Sequence, residues 1–336
     1  MSYVWAHEED LNDINDAIKS KLETQTNYNI EEMASAINNI TKYDSNLPQL
    51  LDRSITLVNN SNIISVGAYA FNSCTSLTSI SLPEATSIGN YSFSGCNSLT
   101  TINLPKAITI GNSAFSNTGL TSVYLPACTT IGDYVFYLCD YLSTADLSAC
   151  TSIGNYAFNN CSDLASITFP LCTHIGNSAF SNTALANINL PACTNIGVSA
   201  FSGCTSLTTV NLPLCVTMAS SVFHGCTSLT TIDISACTNI GESSFYGCSS
   251  LSSITLPVCT IIGANAFKDC SLLSSITLSG STVCELINTN AFDNTPISSG
   301  NGYIYVPSDL VDTYKAATNW STYANQIVAI PEEEGE

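Results

Sequence analysis

Charged side chains, and basic ones above all, are scarce in this sequence. Only 10% of its 336 residues are charged, and 7 Lys and Arg stand against 26 Asp and Glu, which gives a formal net charge of −19. No Lys or Arg occurs between Lys106 and Lys268. Because nucleic acids and anionic lipids are bound through basic surfaces, we expect neither as a partner.

Long apolar runs are also missing. No run of about 20 apolar residues occurs, so we expect no insertion into a membrane. Residues 1–13 are acidic and lack the apolar core of a signal peptide, which predicts another export route or a leader removed earlier. The chain should nevertheless fold, since 45% of its residues are hydrophobic, and Ser, Thr and Asn supply its polar surface.

Phenylalanine recurs along the chain at an almost fixed spacing. Eleven of the 12 Phe residues, all except Phe169, follow one another 21 or 22 residues apart, with a last step of 25: Phe71, Phe93, Phe115, Phe136, Phe158, Phe180, Phe201, Phe223, Phe245, Phe267 and Phe292. The unit reads L-x-x-I-x-L-P-x-C-x-x-I-G-x-x-A-F-x-x-C-x-x. A unit this short cannot bury its own apolar edge, so the repeats must stack.

Each position of the unit has a physical interpretation. Residues 79–82 alternate polar and apolar side chains, which predicts a half-buried strand. Pro83 should end this strand because it has no N–H to donate. Ile88 then returns the chain to the core, and Gly89 allows a backbone conformation or a close approach that a side chain would block. A small residue, Ala or Ser, before Phe93 leaves room for the ring.

The pattern I-G-x-x-A-F-x-x-C-x-x-L-x-x-I-x-L-P resembles the BspA-like (Treponema pallidum type) leucine-rich repeats of bacterial surface proteins, over about residues 63–300. The resemblance implies a leucine-rich-repeat solenoid, a β-rich right-handed superhelix with a parallel sheet on one face. It implies surface exposure and adhesion or ligand binding only loosely, because one fold hosts many functions. Few repeats depart from the pattern: Met218 and Ala219 replace Ile-Gly, and Ala145 replaces the strand Ile.

We divide the chain into four parts. Residues 1–45 form a helical N-terminal segment, 46–300 an array of about eleven 22-residue repeats, 301–330 a C-terminal cap and 331–336 a disordered tail. The cap should consist of a strand, Tyr303 to Val306, and a helix, Ser308 to Thr318. Trp320 and Tyr323 should pack the cap over the last repeat. This last repeat, near residues 283–292, has three extra residues and is degenerate.

The N-terminal segment shows two stretches with apolar residues at helical spacing. Residues 29–32 read as a capping box for the second helix. Residues 14–40 resemble a helical segment of phage structural proteins. One interpretation is a helical hairpin that caps the solenoid, and the other is a module for oligomerisation or virion attachment.

The 16 cysteines fall into two repeat columns, meaning equivalent positions of successive repeats. The columns are Cys74, Cys96, Cys139, Cys161, Cys204, Cys226, Cys248 and Cys270, and Cys128, Cys150, Cys172, Cys193, Cys215, Cys237, Cys259 and Cys284. No C-x-x-C zinc spacing occurs. Thr118 and Thr183 in the first column, and Ala85 and Ala107 in the second, favour buried, reduced thiols that pack as small side chains. Stacked neighbours would still be near disulfide distance.

Catalytic constellations are absent from the pattern. His7, His174 and His224 have no partner at a metal-ligand or triad spacing. Asp146 and Asp233 lie four repeats apart, about 19 Å by strand spacing, too far for a glycosidase pair. We predict no catalytic residue, metal or cofactor, and an enzyme is kept only as the competing class.

The outward strand positions vary between repeats and are the first candidate for ligand binding. These candidates are Asn103, Tyr124, Asp146, Asn189, Asn211 and Asp233, with Tyr124 as an aromatic platform beside Asn103 and Asp146. A second patch on another face comprises Tyr91, Tyr134 and Tyr156. The alternative is that these side chains merely solvate the sheet.

The leading functional hypothesis is a non-enzymatic binding or adhesion protein. It would present an extended repeat surface to a protein or glycan ligand, outside the cell or at a bacterial cell surface. The alternative is a structural or receptor-binding component of a phage or prophage virion, with oligomerisation through the N-terminal helices.

Overall fold

The computed structural model describes residues 53–332, in which the chain winds into stacked turns of one repeat each. Each turn carries a three-residue strand from the alternating segment and a two-residue strand just before the recurring Gly. The three-residue strands are β1 (Leu57–Asn59), β3 (Ser79–Ser81), β5 (Thr101–Asn103), β7 (Ser122–Tyr124), β9 (Thr144–Asp146), β11 (Ser166–Thr168), β13 (Asn187–Asn189), β15 (Thr209–Asn211), β17 (Thr231–Asp233), β19 (Ser253–Thr255) and β21 (Ser275–Thr277). The two-residue strands are β2 (Ser65–Val66), β4 (Ser87–Ile88), β6 (Thr109–Ile110), β8 (Thr130–Ile131), β10 (Ser152–Ile153), β12 (His174–Ile175), β14 (Asn195–Ile196), β16 (Thr217–Met218), β18 (Asn239–Ile240), β20 (Ile261–Ile262) and β22 (Glu285–Leu286).

The three-residue strands pair in parallel but not as one sheet. Their groups are β1-β3-β5, β7-β9-β11, β13-β15-β17, and β19-β21 extended by two C-terminal strands. Within a group the register is one repeat, as in Ile80 opposite Ile102. Two of the breaks fall at the 21-residue repeats, where a residue is missing beside Thr118 and Thr183. The third break, between β17 and β19, lies between repeats of ordinary length.

The two-residue strands form a second sheet, which is parallel, 11-stranded and unbroken. It runs through both short repeats, with Ile110 opposite Ile131 and Ile175 opposite Ile196. The predicted solenoid with a parallel sheet is therefore confirmed, and a second sheet is added to it. The sequence did not reveal this sheet because two residues are too few to show the alternation of a strand.

A single stack of phenylalanine rings fills the middle of the solenoid. The eleven recurring Phe side chains are buried, and the centroids of successive rings lie 5.0–5.7 Å apart. Most pairs are nearly parallel; the largest interplanar angle is 25°, between Phe136 and Phe158. Ile, Leu and Cys columns surround the stack and complete one continuous apolar core.

The recurring glycine brings neighbouring turns into close contact. A Cβ added to Gly154 would lie 2.5 Å from the carbonyl carbon of Gly132. The Gly154 N–H donates to the carbonyl of Ile131 at 2.9 Å, and most glycines of this column make the equivalent bond. Where Ala219 stands instead, neither its N–H nor that of Gly241 makes the equivalent bond within the described chain. The predicted role of the column, close approach, is therefore correct.

The C-terminal cap closes the open end of the core. Strand β23 (Tyr303–Val306) pairs with β21 and with β24 (Ile327–Ala329). In place of the single helix predicted from Ser308 to Thr318, the cap has a 3-10 turn (Ser308–Leu310) followed by helix α1 (Val311–Ala316). Helix α1 ends there because the backbone of Ala317 is extended. Further 3-10 turns cover Thr289–Phe292 and Trp320–Tyr323.

Aromatic side chains of the cap cover the end of the phenylalanine stack. The centroids of Trp320 and Tyr323 lie 6.1 and 5.4 Å from that of Phe292. The Trp320 indole N–H donates to the carbonyl of Cys284 at 2.6 Å, and the Tyr314 hydroxyl accepts the Cys284 N–H at 2.9 Å. These bonds satisfy the backbone N–H and carbonyl of Cys284 at the end of the array.

The predictions of two N-terminal helices and a disordered tail fall on residues 1–52 and 333–336, which lie outside the described residues. Within residues 53–332, no helix is both long and apolar enough to cross a membrane.

We expect Gly154→Ala to destabilise the protein by about 1–3 kcal/mol, because its Cβ must push two backbones apart. Gly225→Asn is the matched control. Gly225 has a φ of 72° and open space around its Cα, and Asn160 and Asn182 adopt φ of 58° in the same column. Urea unfolding should show a loss below about 1 kcal/mol for this control. Equal stability of Gly154→Ala and wild type would refute the close-approach role.

Candidate functional site

The outward strand residues lie in three separate strand groups instead of on one continuous surface. Tyr124 is 60% exposed and lies opposite Asp146 in the β7–β9 pairing. Asn103 lies on β5, across a break in the ladder, and its amide donates to the Ser81 hydroxyl at 3.1 Å. The predicted platform therefore consists of Tyr124 and Asp146 in register, with Asn103 in the neighbouring group.

The other outward candidates stand in a row on β13, β15 and β17. Asn189 pairs with Asn211, and Asn211 pairs with Asp233. The Asn211 amide N–H donates to the Asn189 carbonyl oxygen at 2.7 Å. This bond fixes the orientation of both amides, and the Asn211 amide oxygen and the Asn189 amide N–H groups make no hydrogen bond within residues 53–332.

Both aspartates of the outward column hold a turn together. Asp146 accepts the backbone N–H of Ser148, and Asp233 that of Ser235, each at 3.0 Å. Most repeats have Pro at this position, which has no N–H to satisfy. The Asp therefore compensates for the loss of Pro, a role that the pairing D-x-S in the sequence could have indicated.

The second candidate patch consists of tyrosines with left-handed backbone. Tyr91, Tyr134 and Tyr156 have φ of 54–58°. The rings of Tyr134 and Tyr156 stack at 4.8 Å, and Tyr91 stacks at 4.9 Å on Tyr69, which the sequence reading had missed. Partial desolvation, followed by the neighbouring Tyr156 hydroxyl, raises the pKa of Tyr134. The patch thus contains two ring pairs, separated by the turn of Ser113.

A column of Asn and Asp side chains links successive turns beside these tyrosines. The Oδ1 atom of each accepts a backbone N–H of the next turn at 2.7–2.9 Å. The members are Asn90, Asn112, Asp133, Asn155 and Asn177. Their recurrence directly after I-G was the available sequence signal. The column is a scaffold, because its acceptor atoms are used internally.

A shallow groove of about 280 Å³ follows the glycine column. Gly154, Gly176 and Gly197 line it, together with the side chains of His174 and Asn177. The other described histidine, His224, stacks on Tyr246 at 4.9 Å. His174 Nδ1 lies 3.4 Å from the Thr173 hydroxyl, and no metal-ligand cluster of His, Cys, Asp or Glu occurs among residues 53–332.

All sixteen thiols are buried and unpaired as disulfides within the described chain. In the first column each Sγ from Cys96 onward donates to a Phe carbonyl of the previous turn at 2.9–3.2 Å. In the second column most Sγ atoms donate to the carbonyl two residues ahead. Thr118 and Thr183 place a hydroxyl on a Phe carbonyl instead.

Burial suppresses the ionisation of most of these thiols, whereas the hydrogen bond with Cys284 lowers the pKa of Cys259. Burial raises the pKa of Cys96, Cys128, Cys172 and Cys215 to about 12. The neighbouring Cys259 thiol, 3.7 Å away, and burial together raise the pKa of Cys284. Thiolates are the nucleophilic and metal-binding form, so the columns serve packing.

The chain matches a model of known repeats along most of its length. Four overlapping segments, residues 26–143, 64–180, 129–236 and 194–311, match the BspA type leucine rich repeat region. No curated protein matches the sequence significantly.

Three solved structures illustrate the similarity. A leucine-rich repeat protein from Bacteroides ovatus is 21% identical, with 82% of this chain and 92% of that one covered and a TM-score of 0.47. A leucine rich cell surface protein from Faecalibacterium prausnitzii is 22% identical, with coverages of 80% and 90% and a TM-score of 0.43. The T. pallidum leucine rich repeat protein is 24% identical, with coverages of 60% and 79% and a TM-score of 0.34.

We expect Asp146→Ala to cost about 1 kcal/mol, because it leaves the Ser148 N–H without its acceptor. Adding Ser148→Pro should restore most of this loss, since neighbouring repeats have Pro126 and Pro170 at this position. The check is urea unfolding of the single and double variants. If the double variant is no more stable than Asp146→Ala, the turn-holding role is wrong.

The thiols should resist labelling in the folded protein. Iodoacetamide at about pH 8 should label almost none of the 16 cysteines natively, and nearly all after denaturation without reductant. Mass spectrometry counts the labels. Eight or more unlabelled groups after denaturation would mean that they are oxidised or otherwise blocked.

The same burial predicts a dependence of stability on pH. The pKa of Cys128 is about 12 in the fold, against 9.0 for an unburied thiol. The folded state therefore keeps protons that the unfolded chain releases, so this stabilisation is present below about pH 9 and lost as pH rises towards 12. Calorimetry should show a Tm that falls between pH 9 and 11, and a constant Tm would refute the account.

Proposed function

Because the chain belongs to the BspA-type leucine-rich-repeat family, we propose that it is a non-enzymatic binding or adhesion protein of a bacterial cell surface. It presents an extended repeat surface to a protein or glycan ligand. The family supports binding and surface exposure in general, while the ligand and the place of contact are proposals about this chain.

The observation that carries the proposal is the outward face of β7 and β9. Tyr124 is 60% exposed on a strand whose other side is fixed in the core by Val123. Asp146 lies opposite it in register. A large aromatic ring on a core-anchored strand, in register with a carboxylate, is an arrangement that suits sugars or peptide side chains.

The competing enzyme class finds little support in the same residues. A catalytic site needs a nucleophile or an acid–base pair in a shared pocket. The thiols are buried, and most have raised pKa values, as for Cys96 and Cys172. Asp146 and Asp233 lie in different strand groups, and each is bound to a turn N–H.

The virion alternative rests on residues 1–45 alone. That segment lies outside the described residues, and the comparisons give no support to its likeness to phage proteins. The family match begins at residue 26, within the segment. Oligomerisation through this segment stays a prediction, which light scattering of the full chain and of a chain without residues 1–45 would check.

A glycan and protein array screen should identify a ligand whose binding depends on the strand face. We expect Tyr124→Ala to weaken binding at least about tenfold, or about 1.4 kcal/mol. Asp146→Asn should also weaken binding, while its amide oxygen can still accept the Ser148 N–H. The control is Tyr141→Ala, which removes a ring that is 67% exposed but lies off the strands.

The measurement is titration calorimetry or biolayer interferometry with the ligand found in the screen. Each variant must retain the melting temperature of wild type within a few degrees. Normal binding by both Tyr124→Ala and Asp146→Asn would exclude the strand face as the site.

A further inference from the structure

One repeat column places tyrosines at the surface, two residues before each Phe. Its first five members, Tyr69, Tyr91, Ser113, Tyr134 and Tyr156, are here called the tyrosine column. All five have left-handed backbone, with φ of 54–59°. The side chains therefore leave the turns in the same direction. Ser113 stands where the other four members of the column have an aromatic ring.

The turns of this column are stacked without a gap. The Tyr91 N–H donates to the Asn112 carbonyl at 2.9 Å, and the Ser113 N–H donates to the Asp133 carbonyl at 2.8 Å. One turn thus separates Ser113 from each flanking tyrosine. Since stacked turns repeat at about 4.8 Å, the rings of Tyr91 and Tyr134 stand about 10 Å apart.

This spacing leaves a slot one ring thick between Tyr91 and Tyr134. Stacked pairs within the column have centroids 4.8 and 4.9 Å apart, so two such steps accommodate a single planar group between the facing rings. Tyr91 and Tyr134 are each 38% exposed, and Ser113 at the floor is only 7% exposed. Other serines of the column, such as Ser178 and Ser199, do not lie between two tyrosines, and they are half-buried.

The electrostatics of the slot favour a cation. The faces of aromatic rings carry negative potential and attract cations. Asp133 adjoins Tyr134; its Oδ1 accepts N–H groups of Asn155 in the following turn, on the side of Tyr134 away from Ser113, and its Oδ2 makes no hydrogen bond within the described chain. Lys106, the one basic residue between positions 84 and 163, is bound to Glu84 at 2.7 Å. No positive charge near the slot therefore competes with a bound cation.

A guanidinium group combines the required thickness and charge. It is planar, stays protonated, stacks on aromatic faces and donates to carboxylates through a flat fork of N–H groups. A lysine ammonium lacks the planar shape, and a pyranose ring is thicker than an aromatic one. The net charge of −19 on the whole chain also favours a basic partner.

We propose that the slot formed by Tyr91, Ser113 and Tyr134 binds the guanidinium of an arginine side chain presented by a partner protein. The inference rests on the proposed binding function and deepens it. It makes a protein with an exposed basic segment the partner at this face, separate from the strand face of Tyr124.

The test uses three fluorescent peptides that differ at one residue type. The arginine peptide is an acetylated and amidated Gly-Arg-Gly-Arg-Gly, and its matched forms carry lysine or citrulline. Lysine keeps the charge without the plane, and citrulline keeps the plane without the charge. In fluorescence anisotropy at low salt, the full chain should bind the arginine peptide at least about fivefold more tightly than either matched peptide.

Ser113→Tyr is the decisive variant, because it fills the slot with the column's own ring. The backbone should accept it, since four tyrosines already adopt the same φ in this column. We expect an unchanged or higher melting temperature and at least a roughly tenfold loss of arginine-peptide binding. Ser178→Tyr is the matched control, since it adds a ring beyond Tyr156 and outside the slot, and it should bind as wild type does.

Several outcomes would overturn the inference. Equal binding of the arginine, lysine and citrulline peptides, or wild-type binding by Ser113→Tyr, would remove the slot as an arginine site. Binding of neutral maltooligosaccharides that is lost in Ser113→Tyr, without arginine selectivity, would show a glycan site instead. A ligand from the array screen that still binds Ser113→Tyr but not Tyr124→Ala would leave the proposed function standing while the slot proposal fails.

Discussion

The structure depends on the hydrogen bonding of each turn to the turns on either side of it. Bonds such as Phe71 N–H to the Ser92 carbonyl recur through the array, and they set one repeat per step of about 4.8 Å. Every position must therefore stack on its own equivalent. This is why phenylalanine rings overlap in one column and why glycine is needed where two backbones meet, as at Gly154.

The same constraint explains how the array uses reactive side chains. The first cysteine column can exist because each S–H from Cys96 onward finds a carbonyl of the previous turn, as Cys161 does at Phe136. Asn155 holds the next turn through its side-chain oxygen in a comparable way. Groups that elsewhere would suggest catalysis thus serve as connections between turns, and specificity is left to positions where the repeats differ.

Much of the fold was predictable because the repeat makes each position visible eleven times over. The buried columns of Ile80 and Phe93, the strand of residues 79–81 and the C-terminal strand follow directly from the pattern. The second sheet was not predictable, since a two-residue strand leaves no periodic trace. The α-helix of the cap ends at Ala316, before the predicted Thr318, because the chain turns there to bring Trp320 over Phe292.

The candidate sites were less accessible to sequence reasoning. The sequence pattern identified Tyr91, Tyr134 and Tyr156 as a group. Their division between two ring stacks arises because Ser113, at the same column position, has no aromatic ring. The role of Asp146 likewise depends on an N–H that exists only because Ser148 is not Pro. Both features arise from an absent group at one position of a column, and a search for recurring residues does not detect them.

The contrast between the two sheets has a mechanical consequence. One side of the solenoid is a continuous sheet of eleven hydrogen-bonded strands, and the other is divided into three blocks of three strands and one of four. Bending that opens the divided side strains few bonds at each joint, whereas bending that opens the continuous sheet strains all of them. The array should therefore flex in one plane, at block boundaries such as that between β5 and β7.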